Sequence, residues 1–326
     1  MTAQLTSPAA RRAGLRHDQR HRGELSRLLG AAARTPRGRI GLVLVAVIVA
    51  IAAIGPFVTP HPPTYLVGIP YQAPGAGLPL GTDELGRDVL SRLLAGGWQL
   101  IVMALAATAI GVVAGMAAGL TAAYRGKIAD TAIMRLADVF LAFPQLVFAL
   151  LLVSLIGPKL WVLVLAVGWS HAPQVARVVR ADALERIESD YVQAARLLGT
   201  PWWRVLLSDV LPNTLPVIMV EVGLRLTYSI VIIAGLSFVG FGLQPPAADW
   251  GLMINENRGG MVLNPWGVLA PAILLAVLTI GTNLFTDAIA RAGLRLDTRA
   301  DAAEPAGSVR DGEPAGPVRD MEGDCA

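Results

Sequence analysis

The chain has 326 residues, of which 54% are hydrophobic and only 16% are charged, and its formal net charge is +3. A soluble protein of this length normally carries about a quarter charged residues, so the composition argues against a single soluble core. The apolar residues are gathered in long runs, which favours membrane spans. The single cysteine, Cys325, cannot form an intrachain disulfide.

Six apolar runs are long enough to cross the hydrocarbon of a bilayer, which needs roughly 20 mostly apolar residues. They lie at about 40–58, 98–124, 133–156, 160–176, 215–239 and 266–290. The sequence therefore predicts an all-α membrane protein with six transmembrane helices. We interpret the first run as an uncleaved anchor rather than a cleaved signal peptide, because a 39-residue region precedes it.

Arginine is concentrated on alternate sides of these spans. The first 39 residues carry nine Arg, and the 177–214 connection and the C-terminal tail are also rich in Arg. By the positive-inside rule both termini are cytoplasmic. The organisation we predict is a basic cytoplasmic tail (1–39), a first span with an extracytoplasmic segment (40–96), a transmembrane domain (97–292) and a disordered cytoplasmic tail (293–326).

The connection between spans four and five is long, and its pattern predicts two cytoplasmic helices. The segment 182–198 lacks Pro and Gly and has apolar residues at helical spacing. Gly199 suits a C-terminal cap that needs positive φ. Thr200 and Pro201 suit the N-cap and first residue of a second helix, which we expect to stop at Pro212.

Ala194 and Ala195 give the first of these helices a narrow side. A narrow helix can enter a groove of another protein deeply, because no long side chain holds the two backbones apart. The alternative is an amphipathic loop that packs on its own bundle.

The stretch "GTDELGRDVLSRLLAGG" (81–97) predicts an interfacial helix on the extracytoplasmic side, capped by Thr82 or Asp83. Its apolar stripe is Leu85, Val89, Leu93 and Leu94, and its charged side is Arg87, Asp88 and Arg92. A docking surface for another protein is the alternative interpretation.

The 190–213 stretch resembles the permease subunits of bacterial ABC importers. Those proteins carry an EAA-x3-G-x9-I-x-L-P pattern between their fourth and fifth spans. This chain has Gln193-Ala194-Ala195, then Gly199, then Asp209-Val210-Leu211-Pro212 at the same spacing. Gln193 in place of Glu and Asp209 in place of Ile are the two departures, and they leave open which polar contacts the helix makes with an ATPase.

Other stretches resemble one branch of that family, the second (C-type) permease of the peptide/nickel importers. They are "PLGTDELGRDVLSRLLAGG" (79–97), "MRLADVFLAFP" (134–144), "DYVQAARLLG" (190–199), "VLPN" (210–213) and "GLSFVGFGLQPPAADWGLMI" (235–254). The resemblance covers roughly residues 36–298 and implies a type I importer permease fold in the cell membrane.

The resemblance also implies function and partners. The permease would form half of a pathway for di- or oligopeptides, together with a second, different permease, two ABC ATPases and an extracytoplasmic binding protein; nickel or other small solutes are the alternative cargo. The residues that would couple it to the ATPase are Tyr191, Gln193, Ala194, Ala195, Gly199, Leu211 and Pro212. ATP would be bound by the partners, because this chain has no phosphate-binding G-x-x-x-x-G-K-[ST] loop.

Two charges within span five, Glu221 and Arg225, lie four residues apart on one helix face. Intramembrane charges usually face a cavity or a partner. Our hypothesis is that this face lines the pathway and meets peptide termini. The alternative is a structural pair against span three with Arg135 and Asp138. His171 is interpreted as ending span four at the interface, with a substrate contact as the alternative.

No catalytic or metal-binding constellation is visible in the sequence: there is no nucleophile–base pair and no paired-Cys or His-x-x-x-His spacing. We therefore expect no enzyme activity, metal, cofactor or nucleic-acid partner in this chain, and contact with membrane lipid. A stand-alone secondary transporter is the rival hypothesis, but no inverted repeat is apparent.

Overall fold

The computed structural model describes residues 30–303, without the side chains of Asp190, Tyr191, Ala194, Arg196, Asp209 and 294–303. This part of the chain is almost entirely helical. Its α-helices are α1 (Pro36–Ile54), α2 (Val89–Arg125), α3 (Lys127–Leu141), α4 (Gln145–Ile156), α5 (Leu160–Ile187), α6 (Asp190–Leu197), α7 (Trp202–Val205), α8 (Leu211–Phe238), α9 (Trp250–Asn257) and α10 (Trp266–Ala303). Short 3₁₀ turns follow α1 and α9, and a π-helical segment, Leu206–Val210, joins α7 to α8.

Five of these helices are long and apolar enough to cross a membrane: α1, α2, α5, α8 and α10. The pair α3 and α4 makes a sixth span if it is taken as one broken crossing. The all-α membrane fold is confirmed, and the predicted six spans are reached if α3 and α4 cross the membrane together.

The third span is not the single straight helix that the apolar run 133–156 suggested. The axes of α3 and α4 differ by 82° at a break of three residues, 142–144. Pro144 is the N-cap of α4. Proline disfavours helical backbone at the residue before it and removes a backbone donor, which explains why the chain turns here.

Several helices extend beyond the apolar runs that predicted them. Helix α2 has 37 residues, or about 55 Å at 1.5 Å per residue, against a hydrocarbon thickness of about 30 Å. Helix α5 continues eleven residues past the predicted end at 176, to Ile187. The reason is that hydropathy marks where the hydrocarbon ends, whereas backbone hydrogen bonding continues through an amphipathic segment.

The predicted tails lie only partly within the described residues. Helix α10 continues to Ala303, so the tail boundary predicted at 293 falls inside it. Residues 1–29 and 304–326, which include most of both predicted tails, lie outside the described part of the chain.

A stripe of glycines brings α2 and α5 into close contact. Gly111, Gly115 and Gly119 recur every fourth residue on α2, and all three are buried. A Cβ atom added to Gly115 would lie 2.6 Å from the carbonyl oxygen of Ala172, and one on Gly119 would lie 2.6 Å from that of Ala176. Only glycine permits this approach, which is the small-residue packing typical of membrane helices.

Candidate functional site

The predicted coupling connection is built from three helical pieces rather than two. Helix α5 ends at Ile187, and α6 begins at Asp190 after Glu188 and Ser189. The continuous helix expected over 182–198 is therefore wrong at one point. The Ser189 hydroxyl donates to the carbonyl of Arg186, a local bond that competes with the helical pattern of the backbone.

The turn after α6 follows the predicted chemistry. Gly199 has φ of 73°, in the left-handed region. The backbone N–H of Thr200 donates to the Ala195 carbonyl at 3.2 Å, which is the six-to-one bond of a Schellman cap. The glycine cap is confirmed. The N-cap of the next helix is Pro201 instead of Thr200, so α7 begins one residue later than expected, at Trp202.

Gln193, which replaces the glutamate of the family pattern, makes a hydrogen bond that glutamate could not make. The Gln193 side-chain amide donates to the carbonyl oxygen of Glu188 at 3.0 Å, near the end of α5. A carboxylate has no N–H to give. Ala195 is partly buried and packs against the core that contains Val192 and Val205. The side chains of Tyr191 and Ala194 lie outside the described part.

Leu211 and Pro212 do not end a helix. Leu211 is the first residue of α8, and Pro212 lies in its first turn, where a missing backbone N–H costs nothing. Helical backbone runs from α7 through the π-helical segment into α8. The predicted stop at Pro212 is therefore wrong, and the connection is stiffer than a loop.

The connection presents apolar groups to its surroundings. Leu197 is 89% exposed and Leu198 is 85% exposed. Beside them lies a hollow of about 590 Å³ between the end of α2, the end of α5 and helix α6. Its lining residues are Ala123, Tyr124, Gly126, Leu184, Ile187, Glu188, Gln193 and Leu197. An exposed leucine pair next to a hollow is a surface suited to a protein partner.

Glu221 and Arg225 are buried inside the chain and form an ion pair, with Arg225 Nε 3.0 Å from Glu221 Oε2. Arg225 also donates to the side-chain oxygen of Gln174 on α5. The alternative partners on span three do not pair with Glu221 or Arg225. Asp138 pairs with Arg177 instead, and Arg135 forms no ion pair with a described side chain.

The same face of α8 carries a second contact to α5. His171 Nε2 lies 3.0 Å from the Ser229 hydroxyl, and Thr108 on α2 donates to that hydroxyl at 3.0 Å. His171 is fully buried within α5 and does not end span four, contrary to the interfacial interpretation. We call this set the polar ladder: Glu221, Arg225 and Ser229 on α8, Gln174 and His171 on α5, and Thr108 on α2.

The stretch 81–97 is not an interfacial helix with an outer charged side. Helix α2 begins only at Val89, and its N-cap is Asp88, whose carboxylate accepts from the backbone N–H groups of Leu90 and Ser91. The residues before it form a folded segment with isolated backbone bridges. Thr82 and Asp83 are therefore not the N-cap of α2, contrary to the prediction.

The charges of this stretch point inward and form a buried cluster. Asp83 lies 2.6 Å from Arg87 and 2.7 Å from Arg92. Glu256 of α9 lies 2.6 Å from Arg92 and 3.3 Å from Arg87. The two carboxylates and the two guanidinium groups balance each other's charge. Together they hold the segment before α2, and the first turn of α2, against α9.

Two carboxyl groups near this cluster have altered acidity. Burial raises the pKa of Asp249, which is the fully buried N-cap of α9. The pKa of Glu84 is also raised, first by burial and then by the negative charge of Glu256. Both groups lie outside the membrane-spanning helices.

Three features were not predicted from the sequence, although two left a signal. The glycine stripe of α2 is a G-x-x-x-G-x-x-x-G pattern in an apolar run, which indicates close helix packing. Gln174 follows His171 by three residues on one helix face. Glu256 left no signal, because it is 164 residues from Arg92 along the chain.

The comparisons with known proteins agree on a family. Residues 111–293 match the model of the binding-protein-dependent transport system inner membrane component. A di/tripeptide transport system permease protein of Pseudomonas aeruginosa is 34% identical over 76% of this chain and 84% of its own. A glutathione transport system permease protein of Pectobacterium atrosepticum is 34% identical over 67% and 72%. A dipeptide transport system permease protein of Haemophilus influenzae is 30% identical over 77% and 87%.

Among solved structures, a chain of the MetNI methionine ABC transporter in an inward-facing conformation has the same fold, with a TM-score of 0.50 and 21% identity over 62% of this chain and 95% of that one. The fold likeness shows the same fold, and the sequence matches place the chain in one family. It belongs to the binding-protein-dependent transport system inner membrane components, the multi-pass permease subunits of ABC importers that work with ATPase subunits and a binding protein.

Proposed function

We propose that this chain forms half of the translocation pathway of an ATP-driven importer of di- or oligopeptides. Its pathway partner is a second, different permease, and two ATPases bind on the side that carries α6. Both termini lie on that cytoplasmic side. The cargo assignment is supported by the relatives named above, which are dipeptide, di/tripeptide and glutathione permeases.

The observation that carries the coupling role is the geometry of the 188–212 connection. Helix α6 is a short rod, bounded by the break at Ser189 and by the Gly199 cap. Leu197 and Leu198 stand out from it, next to the hollow that Gln193 also lines. We infer that α6 sits in a groove of the ATPase and that Tyr191, Ala194 and Ala195 belong to the contacting helix.

Movement of α6 reaches the membrane through helical backbone. Helix α5 leads into α6 across two residues, and α7 continues through the π-helical segment and Leu211–Pro212 into α8. When ATP closes the ATPase pair, α6 moves and α5 and α8 tilt together. This is alternating access by rigid-body movement.

We further propose that the Glu221–Arg225 face of α8 contributes to the pathway during this movement. Within the single chain both residues are buried, but the guanidinium of Arg225 lies 5.5 Å from the ring centroid of Tyr228, which is 50% exposed. Tilting of α8 against α5 would expose this charge to the carboxylate end of a peptide.

Co-purification tests the coupling role. A C-terminally tagged chain solubilised in mild detergent is expected to recover a second permease and ATPases. Gly199→Trp places an indole at the cap of α6, where no heavy atom lies near the Cβ position, so it is expected to abolish ATPase recovery while keeping the second permease. Gly157→Trp is the matched control for Gly199→Trp, because Gly157 also has a positive φ and no heavy atom near its Cβ position, and it lies outside the connection.

Reconstituted transport tests the cargo. Proteoliposomes that hold the recovered complex should accumulate a labelled dipeptide only with binding protein and ATP. Uptake by the chain alone without ATP would indicate a secondary transporter. ATP-dependent uptake of a nickel chelate, with no uptake of the dipeptide, would refute the peptide assignment while preserving the importer.

A further inference from the structure

Two tryptophans of α7, inside the coupling connection, each lie beside an arginine, and we call these residues the cluster. The guanidinium of Arg125 lies 4.9 Å from the ring centroid of Trp202, and that of Arg204 lies 5.4 Å from the ring of Trp203. The ring of Tyr124 is 6.5 Å from that of Trp202. Trp202 is 41% exposed and Trp203 is 49% exposed, so both indoles have a free face.

Among the described side chains, the cations of this cluster have no carboxylate partner. Arg125, Arg204 and the neighbouring Lys127 are exposed, and none of them forms an ion pair with a described side chain. Other arginines near this end of the bundle behave differently, since Arg177 pairs with Asp138 and Arg180 pairs with Asp130. A guanidinium stacked on an indole keeps its N–H donors in the plane of the group and free to bind an anion.

The sequence around the cluster predicts that it lies near the end of the hydrocarbon. Arg125 closes α2 immediately after the charge-free run 98–124, and Lys127 begins the next helix. Tryptophan and tyrosine concentrate at this depth, because their rings are apolar at one end and polar at the other. Leu207, which follows Trp203 by one helical turn, is 58% exposed and continues the apolar surface.

We propose that Trp202, Trp203, Arg125, Arg204 and Lys127 form a binding site for the headgroup of an anionic phospholipid. The guanidinium groups and the ammonium group bind the phosphate, and the indoles and Leu207 lie against the glycerol and the first methylenes. A lipid fits better than an acidic protein segment, because half-exposed indoles occur where the apolar run 98–124 ends, together with cations that have no carboxylate partner among the described side chains. The bound lipid would hold the start of the helical path into α8 at the membrane surface.

Lipid retention during purification tests the site on the full chain. The protein is solubilised, supplied with equal amounts of phosphatidylglycerol and phosphatidylcholine, purified and examined by native mass spectrometry. Wild type should retain phosphatidylglycerol preferentially. Arg125→Gln with Arg204→Gln should reduce that retention by about tenfold, because each cation near the surface contributes measurably to anionic-lipid binding, and Trp202→Leu with Trp203→Leu should also reduce it.

Matched controls remove the same chemistry elsewhere. Arg258→Gln removes an exposed cation near α9, and Trp161→Leu removes an indole that is 54% exposed near the start of α5. Neither should change phosphatidylglycerol retention. Equal loss in these controls would show a general charge or aromatic effect and would overturn the site.

Three further outcomes distinguish the occupants. Unchanged retention in both double variants overturns the proposal. Displacement of phosphatidylglycerol by millimolar inorganic phosphate would indicate a free-anion site. Loss of co-purified ATPase in the variants, with phosphatidylglycerol retention unchanged, would indicate a protein contact. Either result contradicts a lipid site. If the variants fail to purify as a single species, wild type in nanodiscs decides: a melting temperature no higher in phosphatidylglycerol than in phosphatidylcholine refutes the proposal.

Discussion

Asp249 shows how one buried carboxyl group can make the fold sensitive to pH. Its side chain accepts the backbone N–H of Leu252 at 3.1 Å and begins α9. Burial raises its pKa above the ordinary value of 3.8. The folded state therefore binds this proton more tightly than the unfolded state does, so this group lowers the free energy of unfolding as the pH rises from about 4 through the folded-state pKa.

Asp249→Asn should remove this penalty while keeping a side-chain oxygen for the cap. At pH 7.5 we expect the variant to have a higher free energy of unfolding and a higher melting temperature than wild type, because the buried aspartate raises its pKa on folding and the amide carries no charge. The difference should shrink as the pH falls and disappear at about pH 2.5, well below the unfolded-state pKa, where the wild-type carboxyl is protonated in both states. Thermal unfolding in detergent at the two pH values measures this. A variant that is less stable than wild type at pH 7.5 would contradict the argument.

In the coupling connection, the backbone conformation was predictable at positions where it depends only on neighbouring residues. The positive φ of Gly199 follows from its place after a helical run, and the structure has it. The charges of 81–97 were placed on the wrong side, because an amphipathic stripe is equally compatible with water and with a buried partner. Arg92 faces inward only because Glu256 lies beside it in the folded chain, and no local pattern contains that information.

At the level of helices, the close contact of α2 with α5 depends on the glycine stripe. Gly115→Leu would force side-chain carbons against the Ala172 carbonyl and the Val175 side chain, both 2.6 Å from the added Cβ. We expect a loss of about 1–3 kcal/mol in unfolding free energy, as for other overpacked interiors, and a lower melting temperature. Ala117→Leu on the exposed side of the same helix is the control, and an equal loss there would show that the contact is not the cause.

The polar ladder makes a separate prediction about α5 and α8. Arg225→Gln leaves the carboxylate of Glu221 buried without its cation, so we expect a loss of roughly 3 kcal/mol or more. The double variant with Glu221→Gln should recover part of this loss, because no charge is left unpaired. Thermal unfolding of the single and double variants measures the coupling. Strictly additive effects would show that the pair does not interact.

Uptake assays with the same two variants separate a structural role of the pair from a pathway role. If the double variant is folded and transports with unchanged kinetics, Glu221 and Arg225 do not meet the cargo. A raised KM with unchanged recovery of ATPase would support the pathway proposal. Gln174, their shared neighbour on α5, provides a third position at which to repeat the measurement.

The positions of the apolar spans were predictable from the sequence, and the shapes of the helices were not. The apolar runs identify the spans because burial in lipid requires continuous apolar sequence. They say nothing about the 82° bend between α3 and α4 or about the amphipathic extensions of α5, since those depend on Pro144 and on contacts between helices. The same limitation explains the Leu211–Pro212 stop that the structure replaces with the beginning of α8.

For the whole molecule, topology depends on whether α3 and α4 together cross the membrane. Helix α3 has 15 residues and α4 has 12, so each is about 18–23 Å long and too short to span about 30 Å alone. Six crossings put both termini on one side. If the bent pair instead returns to the side from which it came, five crossings put the termini on opposite sides.

The single cysteine makes this testable with little engineering. Wild type carries Cys325 near the C-terminus, and Ser7→Cys or Ala76→Cys in a Cys325→Ser background probes the N-terminus and the segment before α2. A maleimide that cannot cross membranes is applied to spheroplasts. We expect Ala76→Cys to react at once, and Cys325 and Ser7→Cys to react only after lysis, because arginine-rich segments stay cytoplasmic. Protection of one terminus alone would mean an odd number of crossings, and the bent pair would then be a re-entrant loop.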